Sequence, residues 1–158
     1  MCSSDLGVFL SLALASVSLS QQRPKSDNAS GGPLIPEQSC FDVRHYDLAL
    51  AVDPAQKSIE GTLTMRAVAS TAAPRVALDL DAALAARTVT VDGKPGTFEH
   101  KDGRIWITPA SPIVEGQEFV VVVGYGGVPH VATNPPWNGG FTWKSTKDGK
   151  PWIATSCQ

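Results

Sequence analysis

The sequence predicts an all-β protein, built as an antiparallel sandwich or curved sheet of short strands. After Phe41, apolar residues recur at every second position, which is the period of a strand with one buried face. Asp-Gly pairs separate several of these runs, and they favour tight hairpins because glycine accepts the positive φ that such turns require. The runs follow one another at intervals of about 8 to 12 residues, as in sandwiches and barrels.

The first two strands are predicted to face each other across a short loop. In residues 46–52, Tyr and Leu positions alternate with Asp and Ala, which predicts a half-buried strand that ends at Asp53-Pro54. Residues 59–67 repeat the pattern, with Ile, Leu and Met on one face and Glu, Thr and Arg on the other. The two segments therefore form the first predicted antiparallel pair.

The remaining elements follow from the same pattern and from the turn residues. Five further strands are expected at residues 76–80, 88–91, 96–100, 104–108 and 119–125. Helix is expected, if anywhere in this region, only as a turn at residues 82–86, and the glycine-rich residues 124–127 are interpreted as a turn or bulge. The last pattern predicts a hairpin of residues 141–143 and 152–157 around Asp148-Gly149.

Residues 1–40 differ from this pattern. Residues 7–20 are uncharged and rich in Leu, Val, Ala and Ser, which is typical of a secretory signal peptide. Fourteen residues are fewer than the roughly 20 that a spanning helix needs, so a permanent membrane span is not expected. We predict a signal peptide at residues 1–20, a flexible linker at 21–40, a β domain at 41–158, and a secreted or periplasmic protein.

Composition excludes one class of partner. The 13 basic and 15 acidic side chains give a formal net charge of −2, and Lys and Arg do not cluster along the chain. Proteins that bind nucleic acid need such clusters to neutralise phosphates, so nucleic acid is not an expected partner.

The cysteines leave two interpretations open. Cys2 would leave with the signal peptide, so Cys40 and Cys157 remain. In an oxidising compartment the two could form a disulfide, but two separate buried thiols fit the sequence equally well. No C-x-x-C spacing is present, which gives thiolate metal binding no support.

The chain carries no local catalytic motif. The histidines His45, His100 and His130 do not form H-E-x-x-H, the spacing that places two imidazoles on one helix face for zinc. The G-x-S-x-G and phosphate-loop patterns are also absent. Trp137, Trp143 and Trp152 allow two interpretations: an aromatic platform for a ligand, or residues that pack against a following domain.

Several separated segments resemble the aminopeptidase N family of zinc metallopeptidases. Residues 44–50 followed by Asp53 resemble the opening HYDL strand of that family, and residues 139–143 with Cys157-Gln158 resemble its late hairpin. Three shorter matches lie between them in the expected order, at residues 59–61, 78–80 and 89–93. Together the matches extend over most of residues 41–158.

This resemblance implies a fold and a function. The family's N-terminal domain is a saddle-shaped β domain that packs on a zinc-bearing catalytic domain, where zinc and a glutamate activate water against peptide substrates. We therefore expect this chain to be the non-catalytic β domain, incomplete at its C-terminal end, with zinc bound by a downstream catalytic domain of the same polypeptide. By the same resemblance, Gln158 is expected to bind the N-terminal end of the substrate. The fragment alone should be inactive.

A hypothesis of another class remains open. The chain could be a complete, exported β-sandwich module that binds a ligand through the surface of Trp137, Trp143 and Trp152. Neither hypothesis assigns a catalytic or metal-binding residue to this chain.

Overall fold

A computed structural model describes residues 33–135 and 137–156 of the 158-residue chain. The described part is almost entirely antiparallel β structure, which confirms the predicted fold class. It contains one helical turn, α1 (Pro36–Ser39), and ten strands. The strands are β1 (Phe41–Asp53), β2 (Ser58–Ala69), β3 (Val76–Asp79), β4 (Leu84–Val91), β5 (Lys94–Pro95), β6 (Thr97–Lys101), β7 (Arg104–Thr108), β8 (Glu118–Gly127), β9 (Gly140–Ser145) and β10 (Pro151–Ser156). No helix among the described residues is long and apolar enough to cross a membrane.

The largest sheet has five strands in the order β1-β2-β8-β4-β5. Its register is set by side chains that alternate between the two faces. Met65 on β2, for example, lies between Tyr46 on β1 and Val121 on β8, so the three side chains share one face. A three-stranded sheet, β3-β7-β6, supplies Val76, Ile105 and Ile107 to the same buried cluster.

The core lies between these two sheets. Its fully buried side chains include Phe119, Met65, Ile107, Ile113, Val76, Val121 and Val123. The ring of Phe41 meets that of Phe119 edge-on at 6.0 Å, so the start of β1 closes one side of the core. Burial of this apolar surface is the main favourable contribution to folding.

The predicted Asp-Gly hairpins are confirmed. Asp92 and Gly93 have φ of 50° and 74°, and Asp102 and Gly103 have φ of 54° and 71°. Two successive residues with positive φ are what a two-residue type I′ turn requires, and its twist matches that of the strands. Asp92 also bonds to β8: its backbone N–H donates to Val120 O at 2.8 Å, and its Oδ1 accepts from the N–H of Val120 at 2.8 Å.

The prediction of a helical turn at residues 82–86 is wrong, because these residues form a short turn followed by the start of β4. Asp81 starts a turn in which its Oδ1 accepts from the N–H of Ala83 at 2.8 Å, and Leu84 then enters β4 opposite Gly127. Leu84 is buried, and sheet pairing outweighs the weak helix preference of the neighbouring alanines.

The N-terminal side of the β domain contains a feature that the sequence did not predict. Residues 36–39, inside the predicted linker, form α1. Gln38 Nε2 donates to Asp79 Oδ1 at 3.0 Å, and Cys40 is buried next to the core. The predicted signal peptide and residues 21–32 lie outside the described residues.

The prediction of a half-buried β1 is wrong for most of the strand. Tyr46, Leu48, Leu50 and Val52 are 54%, 53%, 42% and 40% exposed. Phe41 and Val43 pack against the core, whereas the apolar row from Tyr46 to Val52 lies on an edge strand beyond it. Alternation predicted which residues share a face, but it did not show whether a second layer covers that face.

Candidate functional site

The predicted substrate-binding residue, Gln158, lies outside the described residues, as does Cys157. The structure therefore describes only the hairpin that leads to Gln158. In this hairpin β9 and β10 pair from Gly140 opposite Ser156 to Ser145 opposite Pro151, which confirms the predicted hairpin and extends its first strand. The proposed disulfide of Cys40 is likewise outside what the structure describes, because its partner would be Cys157.

The hairpin divides its aromatic residues between two faces. Trp143 lies opposite Ile153, whereas Trp152 lies opposite Lys144. Since neighbouring residues of a strand point to opposite faces, the indoles of Trp143 and Trp152 lie on different sides of the hairpin. The two tryptophans therefore do not form one shared platform.

Trp143 stacks on a different aromatic residue. Its ring and that of Phe141 are 5.3 Å apart and inclined by 18°. The indole Nε1 of Trp143 is buried, and it has no hydrogen-bond partner among the described residues. A buried donor of this kind normally has a partner, so this face of the hairpin is where a further polar group is needed.

A parallel bridge joins the hairpin to the segment that precedes it. The N–H of Phe141 donates to His130 O at 2.8 Å, and the N–H of Ala132 donates to Phe141 O at 3.0 Å. Gly140, with φ of 129°, makes this approach possible: a Cβ there would lie 2.8 Å from both Ala132 N and His130 O. Ser156 Oγ donates to Asn138 O at 3.2 Å and fixes the end of β10.

The tip of the hairpin is a closed polar turn. Thr146 Oγ1 donates to Asp148 Oδ1 at 2.6 Å and accepts from the N–H of Lys150 at 3.1 Å. The hydrogen bond from Thr146 lowers the pKa of the Asp148 carboxyl, and bonds from its own backbone and from Lys150 lower it further. Gly149 completes the turn with φ of 81°.

The described residues contain no group of three or more His, Cys, Asp and Glu side chains that could hold a metal ion. His45 lies on β1 and His130 lies in the segment before β9, while His100 Nε2 is 3.1 Å from Leu80 O. The described residues do not fit a catalytic zinc, which takes three protein ligands.

A shallow depression on the outer face of the large sheet was not predicted. Glu60 on β2 and Arg87 on β4 form a two-point ion pair that crosses β8 above Gly126, with Arg87 Nη2 2.8 Å from Glu60 Oε1. Next to it, the Thr88 hydroxyl lies over Gly124.

Residues 124–127, interpreted above as a turn or bulge, are thus the end of strand β8. Alternate glycines in an apolar strand are the sequence signal for this depression, because they make room for side chains from both neighbouring strands. Both members of the ion pair are about half exposed.

Comparison with solved structures identifies the fold. A mutant of a two-domain M1 zinc metallopeptidase bound to L-tryptophan superposes with a TM-score of 0.56 at 21% identity, covering 72% of this chain and 28% of that chain. The fold is one found in M1 zinc metallopeptidases. An M1 enzyme from Deinococcus radiodurans, bound to a Tyr-Ser-Ala substrate, gives a TM-score of 0.55 at 20% identity, with 70% of this chain and 27% of that chain covered.

A third M1-type neighbour is the native leukotriene A4 hydrolase of Saccharomyces cerevisiae, with a TM-score of 0.55 at 24% identity. It covers 74% of this chain and 19% of that chain. No family model and no curated protein sequence matches the chain. The chain thus spans only 19% to 28% of these solved M1 structures, and at this identity the likeness shows the fold alone.

Proposed function

We propose that this chain is the N-terminal, non-catalytic β domain of a zinc metallopeptidase that removes N-terminal amino acids from peptides. The observation that supports it most is the shared fold with M1 zinc metallopeptidases, including one bound to an amino acid and one bound to a peptide. The ordered segments that resemble the aminopeptidase N family, from residues 44–50 to 139–143, support the same proposal independently.

In this proposal zinc belongs to a part of the polypeptide beyond the described residues. When bound, zinc would polarise a peptide carbonyl and activate water. The described residues lack a suitable ligand set. We propose that their contribution is structural: the β9–β10 hairpin, joined to the segment of His130 and Ala132, positions the end of the chain that carries Gln158.

Gln158 is proposed to orient the substrate. A glutamine side chain offers an oxygen that can accept from the substrate ammonium group and an NH₂ that can donate to its carbonyl. The hairpin supports this role because both of its strands and the Ser156–Asn138 contact fix the segment just before it. We also propose export, on the signal-peptide pattern of residues 1–20.

The coding sequence that follows Gln158 tests the proposal most directly. An open frame with H-E-x-x-H and a more distant glutamate supports it, whereas a stop codon directly after Gln158 contradicts it. The protein encoded by such a frame should hydrolyse aminoacyl anilides and lose that activity in a zinc chelator. Residues 1–158 alone should hydrolyse none of them, and measurable hydrolysis would contradict the assignment of a non-catalytic domain.

The alternative of a stand-alone binding module with an aromatic surface gains no support from the hairpin. Trp143 and Trp152 lie on opposite faces, and Trp143 is engaged with Phe141. A flat aromatic platform needs its rings on one side.

A further inference from the structure

The turn that leads into the β9–β10 hairpin carries an asparagine followed by a glycine. Asn138-Gly139 is the only Asn-Gly pair in the 158-residue sequence. It lies directly before β9, and Asn138 is exposed. Glycine has no Cβ, so little hinders the approach of its backbone nitrogen to the side-chain carboxamide of the preceding residue. The pair therefore places an amide nucleophile beside a carbonyl carbon that it can attack.

The backbone around the pair holds Asn138 and leaves the nucleophile without a backbone acceptor in the described part of the chain. The N–H of Asn138 donates to Asn134 O at 3.0 Å, which closes the turn. No backbone oxygen of residues 33–135 and 137–156 accepts a hydrogen bond from the N–H of Gly139. Attack by the Gly139 nitrogen therefore breaks no backbone hydrogen bond among these residues.

We infer that Asn138-Gly139 is a site of spontaneous deamidation in the folded chain, and that one of the products alters the backbone that leads into β9. The nitrogen of Gly139 forms a bond to Cγ of Asn138. The bond from Cγ to the side-chain nitrogen breaks, and that nitrogen leaves as ammonia with the proton of the attacking N–H. A succinimide ring remains.

Water then opens this ring in one of two ways. Addition at Cγ gives aspartate at position 138 with a normal main chain. Addition at the original backbone carbonyl gives isoaspartate, in which the main chain runs through Cβ and Cγ. The reaction is intramolecular and consumes only water, so it requires neither a partner nor an open binding surface. It also does not depend on the proposed peptidase function.

The contacts of Asn138 make the isoaspartate product consequential for the hairpin. The backbone oxygen of Asn138 accepts from Ser156 Oγ at 3.2 Å, which is the contact that fixes the end of β10. In isoaspartate this oxygen belongs to a free carboxylate outside the main chain. The link from position 138 to the bridge between Phe141 and His130 becomes one atom longer and gains a negative charge.

The bridge leaves little room for such a change. At Gly140, two residues after Asn138, a Cβ would lie 2.8 Å from both Ala132 N and His130 O. Closely packed backbone does not accept an additional atom without moving. We therefore expect isoaspartate to weaken the start of β9 and the Ser156 contact, whereas aspartate with a normal main chain should preserve both.

The chain contains its own control for the reaction. Asn134 is also exposed and lies in the same turn, but Pro135 follows it. Proline has no N–H, so its nitrogen cannot supply the proton that the leaving ammonia takes. The two asparagines should therefore react at very different rates within one molecule, and this comparison needs no variant that could fail to fold.

Incubation of the whole folded chain in isotopically labelled water, followed by tandem mass spectrometry, tests the reaction. Position 138 should gain one labelled oxygen, and the rate should rise with pH because hydroxide removes the proton of the attacking N–H. Asn134 should keep its amide. Gly139→Ala should slow the reaction by about tenfold or more, because a Cβ hinders the attack.

The same chain unfolded in urea gives the rate that the sequence alone allows. An Asn138 that reacts in urea but keeps its amide in the folded chain would show that the fold protects it, and this result overturns the proposal. Equal reaction at Asn134 and Asn138 also overturns it.

Thermal unfolding of the separated products tests the consequence for the hairpin. Ion exchange separates the deamidated chains by their additional charge, and tandem mass spectrometry distinguishes isoaspartate from aspartate. The isoaspartate chain should have a Tm lower than that of the fresh chain by about 2 °C or more. Asn138→Asp, which adds the charge but keeps the normal main chain, is the matched control and should retain the Tm of the fresh chain. An isoaspartate chain whose Tm equals that of Asn138→Asp contradicts the role assigned to the backbone at position 138.

Discussion

The ring of Tyr125 on β8 lies over the backbone of Gly61, the residue directly opposite it on β2. A Cβ at Gly61 would lie 2.5 Å from Cζ of this ring, so only glycine leaves the space that the ring occupies. The ring replaces the side chain that the strand lacks, in the manner of an aromatic residue that covers a glycine across a strand pair. Burial there raises the pKa of the Tyr125 hydroxyl.

Gly61→Ala should therefore destabilise the protein by about 1 to 3 kcal/mol, because the ring must leave its position. Urea unfolding followed by circular dichroism measures this free energy. Gly126→Ala is the matched control: its Cβ would meet the carboxylate of Glu60, which ends a flexible side chain. That variant risks only an exposed ion pair worth about 0 to 1 kcal/mol. Equal losses in the two variants would contradict this account.

Tyr46 provides a test of how β3 lies against β1. Burial raises the pKa of its hydroxyl, and the Asp79 carboxylate raises it further. Asp79→Asn should lower the pKa of Tyr46 toward its ordinary value and leave the part due to burial. Ultraviolet titration measures it, in a Tyr125→Phe background that leaves one tyrosine in the chain. Asp53→Asn, at the far end of β1, should leave the pKa unchanged, and a similar decrease in both variants would contradict the proximity of Asp79.

Much of this fold could be predicted from the sequence because Asp-Gly pairs mark its tight turns. Asp92-Gly93 and Asp102-Gly103 need φ values that few other pairs adopt, so they fixed two hairpins and the strands beside them. The start of β4 at Leu84 could not be predicted. The alanine-rich residues around it have no strong preference for strand, and the strand forms there because Leu84 pairs with Gly127 on β8. The exposure of Leu48 and Leu50 also depends on a second layer that no local pattern encodes.

The candidate site was less predictable than the fold. The resemblance pointed to Gln158, which lies outside the described residues. The structure describes the β9–β10 hairpin before it, and the substrate-binding role of Gln158 stays a prediction. The Glu60–Arg87 pair was not predicted, since it joins residues 27 positions apart across β8. The sequence signal for this pair is the alternate glycines Gly124 and Gly126. These glycines make room for side chains of the neighbouring strands, so the pair can be predicted from them only when those strands are known.

The hairpin tip should respond to acid through Asp148. The pKa of Asp148 is lowered in the folded state. The contacts that lower it therefore stabilise the folded protein at pH values above the unfolded-state pKa, and this stabilisation is lost as the pH falls through the folded-state pKa. Thr146→Val removes the largest cause and should raise the pKa of Asp148 toward 3.8, its ordinary value. The carboxyl chemical shift of Asp148, followed by NMR against pH, measures it. Thr142→Val, on the same hairpin, should not move the titration, and a shift of equal size there would contradict the role of Thr146.

Gln158→Ala tests the proposed substrate role in the full-length enzyme that we propose. The side-chain amide would bind both the ammonium group and the carbonyl at the substrate's N-terminal end, so its loss leaves those groups without partners. We expect kcat/KM to fall by an amount equivalent to roughly 1 to 3 kcal/mol of transition-state binding across several aminoacyl substrates. Gln56→Ala, on the exposed turn between β1 and β2, is the control and should leave kcat/KM unchanged. An unaltered kcat/KM in Gln158→Ala, with zinc content and thermal stability equal to wild type, would contradict a binding role and leave Gln158 as a strand residue held by its backbone alone.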